Sequence, residues 1–315
     1  MIRKASFPYV VDESRIGERM GLSIESPIRV FNLSILGIDT EAFLRTLVPT
    51  FSLGAWDEYD VKRNQVQFLQ KCRPEAEKRL QSFLADYYEG RVWLDAIAEV
   101  LQSLSNEERW RFERIHPYRK RSIARFTVER QNTRQRSVPD WKITRLWDEI
   151  DFMQQLSTGS GEYRKWRRRF IQMPAVVSEG CYEFKLLLHA LSTMVDDCQP
   201  GVAKLSIIAH QVSVFVDGTE EGDNAPEGIH QDGSDYIVSA LVTERDGIIG
   251  AESVVYGPDK ETEYLRMTLY PGQGIFQSDA GTDLWHDVTP ARDDPATLPT
   301  FGKRSIFGFD IRVVA

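Results

Sequence analysis

Three residues place the tightest constraint on what this chain can fold into. His230 and Asp232 lie two apart in Pro226-Glu227-Gly228-Ile229-His230-Gln231-Asp232-Gly233, and His286 lies far along the chain in Leu284-Trp285-His286-Asp287-Val288-Thr289-Pro290. In a strand, residues two apart point to the same side. His230 and Asp232 can therefore face one ion together, provided that a distant strand brings His286 beside them. Two imidazoles and one carboxylate are the donor set of non-haem Fe(II) oxygenases, which leaves other coordination positions open. Those positions have room for a chelating 2-oxo acid and for dioxygen. Zinc also accepts two His and a carboxylate, so a zinc-dependent hydrolase and a non-catalytic, cupin-like metal-binding sensor stay open beside the oxygenase. His210 offers a further imidazole and reads as a strand residue near the pocket.

The segment Gly302-Lys303-Arg304-Ser305-Ile306-Phe307-Gly308-Phe309-Asp310 reads as a buried strand with a fixed cation near its start. Arg304 there can hold the far carboxylate of a 2-oxo diacid through a bidentate pair. Its apolar neighbours would keep the site dry. No G-x-S-x-G elbow and no glycine-rich phosphate loop is present, which disfavours metal-free acid–base and nucleotide chemistry.

The texture of the chain changes after Pro200. Leu205–Val216, Tyr236–Thr243, Ser253–Tyr256, Tyr264–Leu269, Gly274–Phe276 and Ser305–Val314 read as short strands separated by Gly, Pro and Asp turns, the pattern of a sandwich or barrel. The first half is mainly helical. A helix opens at Asp39-Thr40-Glu41 and ends at Pro49. Residues 61–115 are mostly helical, residues 131–165 read as long loops around a helix at 144–156, and Glu179–Met194 forms a helix carrying His189 as a helix-core or surface residue rather than a ligand. Short strands are expected at Phe7–Val11 and Ile28–Ile35. The fold class is therefore α+β: a jelly roll, or double-stranded β-helix, buttressed by N-terminal helices. We read residues 1–315 as a single dioxygenase domain, with a mainly helical part at 1–200 and a β-rich part carrying the metal motif at 201–315.

With 42% hydrophobic and 27% charged residues, the chain can bury a sizeable core. A formal net charge of −8 opposes nucleic-acid binding unless a local basic patch overrides it. Tyr118–Val128 and Arg164–Arg169 are basic and aromatic, but short, and read as solvated or substrate-facing surface. The three cysteines, Cys72, Cys181 and Cys198, read as reduced thiols. Without a signal peptide or an apolar run long enough to span a bilayer, a cytoplasmic location and no membrane partner are expected. Oligomeric state is not legible.

The motifs also carry a resemblance. Pro226–Gly233, Gly250-Ala251-Glu252-Ser253-Val254-Val255-Tyr256, His286-Asp287-Val288-Thr289-Pro290 and Arg304 resemble the P-E-G-x-H-x-D-G, G-G-x-S-x-x-Y, H-x-V-T-P and final-strand Arg elements of a 2-oxoglutarate/Fe(II) dioxygenase family. This bacterial and fungal family includes the L-isoleucine 4-hydroxylases and aziridine-forming relatives. The resemblance is specific from about residue 205 onward, and extends weakly back through Arg125-Phe126 and Trp56–Tyr59. It implies Fe(II), 2-oxoglutarate and O2, with ascorbate as an aid in vitro. It also implies a free aliphatic L-amino acid as substrate, in the manner of secondary metabolism, with hydroxylation or ring closure as outcome. On this reading His230, Asp232 and His286 bind iron and Arg304 anchors 2-oxoglutarate. Gln211 would help orient that co-substrate, and Arg125 would receive the substrate carboxylate. The chain departs from the pattern at Ala251, in a long stretch from Ala291 to Lys303, and in an enlarged helical region at 70–115.

Overall fold

The computed structural model describes residues 27–131, 140–147, 151–152, 166–216, 222, 228–297 and 301–315. In chain order, its helices are α1 (Thr40–Leu47), α2 (Tyr59–Cys72), α3 (Glu77–Tyr88), α4 (Ala98–Gln102), α5 (Asn106–Glu113) and α6 (Tyr182–Cys198). The strands are β1 (Ile28–Asn32), β2 (Ala55–Trp56), β3 (Arg119–Gln131), β4 (Asp140–Leu146), β5 (Asp151–Phe152), β6 (Arg168–Arg169), β7 (Lys204–Val216) and β8 (Tyr236–Asp246). They continue with β9 (Ile248–Gly250), β10 (Ser253–Tyr256), β11 (Glu263–Met267), β12 (Gln273–Ser278), β13 (Trp285–Val288), β14 (Ala291–Asp293) and β15 (Gly302–Val313).

One large antiparallel sheet runs in the order β1-β12-β8-β15-β7-β3-β2, with β4 added on β3. Its long central strands are rich in β-branched residues, which suit a pleated surface buried on both sides. One face is covered by α1 and α6, whose Phe43, Leu47, Phe184, Leu187 and Leu191 pack on Phe126, Ile207, Phe307 and Phe309. The other face meets the small sheet β11-β10-β13. There Val255, Leu265 and Met267 pack against Ala240, Val242, Ile275 and Ile306. Two facing antiparallel sheets with helices on the outer face form an α+β, jelly-roll-like architecture. A separate cluster of Val66, Leu69, Leu80, Phe83, Ile97 and Phe112 holds α2 to α5 together.

Local signals set several boundaries. The Asp39 carboxylate accepts the Ala42 backbone N–H at 3.0 Å and starts α1. Past Leu47 the chain tightens into a 3₁₀ turn that contains Pro49. Ser105 and Glu108 form a reciprocal capping box on α5. The helix expected at 144–156 is not found where the chain is described: Asp140–Leu146 is strand β4. Trp141 and Ile143 alternate toward α6, the Trp141 indole N–H reaching the Thr193 hydroxyl at 3.3 Å. A period of two buries these residues where a helical period would not. Helix α6 starts at Tyr182 rather than Glu179, after a π turn at Val176–Gly180. The strand expected at Phe7–Val11 lies outside the described residues. No described helix is long and apolar enough to cross a membrane.

Candidate metal centre and cleft

His230 sits just before β8 and His286 in β13, and the two residues form an antiparallel bridge. The His230 N–H donates to the His286 carbonyl at 3.0 Å, and the His286 N–H donates back at 2.9 Å. This pairing brings the rings to 4.2 Å between centroids. Asp232, two residues on, faces both: its carboxylate oxygens lie 3.4 Å from His230 Nε2 and 3.4 Å from His286 Nε2. One ligand atom from each of the three residues lies within 4.8 Å of the others. Burial pushes the Asp232 carboxyl up, but the two imidazoles outweigh burial through charge and hydrogen bonding and hold it well below the usual carboxylate range.

The surroundings orient these donors. His230 Nδ1 lies 2.6 Å from the Gly228 carbonyl and donates to it, which leaves Nε2, on the Asp232 side, as the ring nitrogen a cation would take. Gly228 can present its carbonyl this way because it adopts a φ of 69°, which side chains disfavour. Gln231 points to the opposite side from its neighbours. Its amide N–H group donates to the carbonyls of Asp279, Thr282 and Leu284 at 2.8–3.0 Å and staples the turn to the loop before β13. Asp279 is fully buried and accepts the backbone N–H groups of Asp232, Gly233 and Ser234. It also lies 4.0 Å from His286 Nδ1. Burial, and then the charge of Asp232, push the Asp279 carboxyl up to about 7. A half-buried carboxylate between two buried imidazoles, backed by buried Asp279, suits a divalent cation, and the donor types are those of a non-haem iron site.

A cleft of about 890 Å³, counting its open mouth, adjoins the triad. Its apolar wall includes Val212, Val238, Val288, Ile306 and Phe309, and its polar wall includes Arg119, Arg121, Arg168, His210 and Asp310. The basic stretch at 118–128 therefore falls on strand β3, near one edge of the large sheet, and two of its arginines face the cleft. His210 is gripped from both sides: Arg121 Nη2 donates to Nδ1 at 3.0 Å, and Nε2–H donates to Asp310 Oδ2 at 3.0 Å. Arg119 is ion-paired to Asp57 at 3.0 Å and also to Asp60. Arg121 stacks on Phe170, 4.6 Å from the ring centroid.

Two of the expected site residues are placed elsewhere. Gln211 lies on the helix-facing side of β7, because adjacent strand residues point to opposite faces. Its amide oxygen accepts from the Ser122 hydroxyl at 2.9 Å, and its amide nitrogen donates to Thr50 Oγ1 at 2.6 Å. Arg125 shares a strand face with Arg121 but lies four residues along β3, about 13 Å away, and does not line the cleft. Arg121 occupies that wall instead. Arg304 is buried within β15, two residues from Ile306 of the cleft wall. Burial, and then the nearby Arg245, lower its guanidinium to about 9. His189 lies away from the site, its Nε2 accepting the Trp141 backbone N–H at 3.2 Å.

Asp279, Gln231, Arg121 and Asp310 were not singled out from sequence. The one available signal was Gln231: a polar residue between two donors of a strand-like motif must face inward on the other side and find partners there.

Residues 100–310 match the 2OG-Fe dioxygenase family. Among solved structures, a bsmA homolog from Methylobium petroleophilum PM1 is similar in fold, with a TM-score of 0.62 at 16% identity over 96% of this chain and 94% of that one. IDO from Bacillus thuringiensis gives 0.47 at 15% identity over 63% and 79% of the two chains. The Fe(II)/(alpha)ketoglutarate-dependent dioxygenase TqaL gives 0.43 at 13% identity over 80% and 89%. No curated protein matches the chain.

Proposed function

The chain belongs to the 2OG-Fe dioxygenase family, and from that premise we propose that it oxidises an unactivated C–H bond of a free aliphatic L-amino acid or a close derivative, by hydroxylation or by oxidative ring closure. As a member of the family it is a 2-oxoglutarate-dependent non-haem iron dioxygenase that uses Fe(II), 2-oxoglutarate and O2. In our reading His230, Asp232 and His286 hold the iron, and Arg304 binds the remote carboxylate of 2-oxoglutarate. Bound together, iron and 2-oxoglutarate supply the oxidising power, with succinate and carbon dioxide as co-products.

The observation that carries the substrate reading is the polar wall of the cleft. Arg121 and Asp310 flank His210 on one face of the sheet beside the triad. A cation and an anion on one wall complement the carboxylate and ammonium of an amino acid. Arg121 Nε is buried with no hydrogen-bond partner among the described residues, so this guanidinium keeps donor capacity for a carboxylate. The apolar side chains opposite suit an aliphatic side chain and exclude water from the oxidation. His210, fixed as the neutral tautomer, spaces the two charges. Residues 1–315 act as one dioxygenase unit in this reading.

The test is succinate release by the purified protein with Fe(II), ascorbate, 2-oxoglutarate and air across a panel of L-amino acids. Succinate formation stimulated by valine, isoleucine or leucine is expected, and lost in His230→Ala and Asp232→Ala. Stimulation by a different compound class, with none from any amino acid, overturns the substrate reading.

A further inference from the structure

The two imidazoles of the candidate centre are held unequally. His230 donates its Nδ1 proton to the Gly228 carbonyl at 2.6 Å. His286 also turns Nε2 to Asp232, at 3.4 Å, but its Nδ1 is buried with no hydrogen-bond partner among the described residues. Asp279 Oδ1 lies 4.0 Å from that nitrogen, too far for a hydrogen bond. Asp279 is not free to swing across, because three backbone N–H groups at 2.7–3.1 Å hold its carboxylate.

Gln277 is a second unpaired group nearby. It is fully buried in β12, and both its amide oxygen and its amide nitrogen lack a hydrogen-bond partner among the described residues. An unpaired amide in an apolar interior is costly, and this one pairs in the ladder with Ile28 on one side and Ile237 on the other. The register sets its direction. Ile28 packs between the sheets with Ile275 and Leu284, and cross-strand partners share a face, so Gln277 faces the same interior. Asp279 follows two residues on. Its backbone N–H still bonds the chain entering β8, at the Asp235 carbonyl 3.1 Å away, so the strand period carries over and the two side chains share a face. Their α-carbons are about 7 Å apart. His286 stands two residues beyond Leu284 of that interior. Gln277 and His286 thus approach Asp279 from different strands.

We propose that Gln277 is a positioning residue for His286, acting through ordered water held between them. Buried polar groups without protein partners are met by such water. It accepts the His286 Nδ1–H and donates to Asp279 Oδ1 and to the Gln277 amide oxygen. A ligating imidazole needs a partner on its second nitrogen to fix its tautomer and the direction of its ring. Gly228 does this for His230, and the Gln277 amide, through water, does it for His286. The role rests on the reading above that His286 is a metal ligand; the new element is the amide behind it.

Co(II) added to the metal-free protein tests this without turnover. Each ligating imidazole then gives its own strongly shifted N–H signal in the proton NMR spectrum, which is lost as the proton exchanges with solvent. Two slowly exchanging signals are expected, one from each histidine. Gln277→Met keeps the length of the side chain and removes both polar atoms. It should abolish one signal and spare the other, and weaken Co(II) binding about tenfold to a hundredfold. Gln277→Glu keeps an oxygen at the same reach and should restore both signals. Gln277→Leu carries the test if Gln277→Met does not fold. Unchanged Co(II) affinity, or weakened affinity with both N–H signals intact, overturns the role, as does rapid exchange of one signal in wild type. If His286→Ala binds Co(II) as tightly as wild type, the metal reading itself fails, and the role of Gln277 with it.

Discussion

His210 shows how single residues tune the cleft. Its Nδ1 accepts from a guanidinium and its Nε2–H donates to a carboxylate, so a second proton would have to face Arg121. Burial first, and then the Arg121 charge, lower its pKa below the ordinary 6.5, while Asp310 and Asp232 act the other way without prevailing. The unfolded chain takes up this proton near 6.5. The neutral imidazole therefore contributes stability in full above that pH. The contribution declines as pH falls below 6.5, because the unfolded state then binds a proton that the folded state refuses, and the loss levels off below the folded pKa. Urea denaturation in steps from pH 8 to pH 5 should show a steeper loss for wild type than for His210→Asn; parallel curves would remove His210 as the cause. At this scale the three donors were legible from the H-x-D spacing together with the distant His286, although His230 makes only an isolated bridge and Asp232 lies in the turn before β8. The cleft arginine was not. Arg121 and Arg125 share one face of β3, and only the packing of Phe170 and Phe152 around Arg121 distinguishes them.

Strand β15 carries most of the architecture. It pairs with β7 without interruption from Gly302 to Val313, while its ladder with β8 is broken by two irregularities. One face turns Arg304, Ile306 and Asp310 toward the cleft side, and the other turns Phe307 into the helical core. Phe307 is fully buried and makes ring contacts with Phe43, Phe51, Phe184 and Phe309. Truncating it should cost about 3–5 kcal/mol. Phe307→Ala should show this in equilibrium urea unfolding, and a loss below about 1 kcal/mol would mean that the helices α1 and α6 do not depend on this strand. The C-terminal strands were readable because β-branched runs alternate with Gly and Asp turns. β4 was not, since its alternation is short and sits in a polar stretch. The β3 strand was hidden for a different reason: Arg119 and Arg121 are partnered by Asp57, Asp60 and His210 in the fold, so the strand looks like surface in the sequence.

Across the whole molecule, the helical cluster of α2 to α5 has a core of its own, yet charged and aromatic contacts join it to the sheet. Asp57 and Asp60 hold Arg119 of β3, and the Tyr59 ring packs on Phe170 and Tyr88. Breaking a buried ion pair costs about 3–5 kcal/mol, so the cluster should not melt before the sheet. Differential scanning calorimetry is expected to give a single transition, coincident by tryptophan fluorescence and far-UV circular dichroism; two separated transitions would divide the chain into two units. That interlocking was not visible in a sequence that changes texture at Pro200. The bridge between His230 and His286 has its own consequence at this scale. Reciprocal backbone bonds set the bite of the two imidazoles, and Asp232 follows from the same turn. Most of the cleft wall, by contrast, is carried by β3, β7 and β15, outside the segment that the bridge closes. Substitutions in that wall can therefore reshape the surface around the donors without touching the backbone bonds that set their spacing.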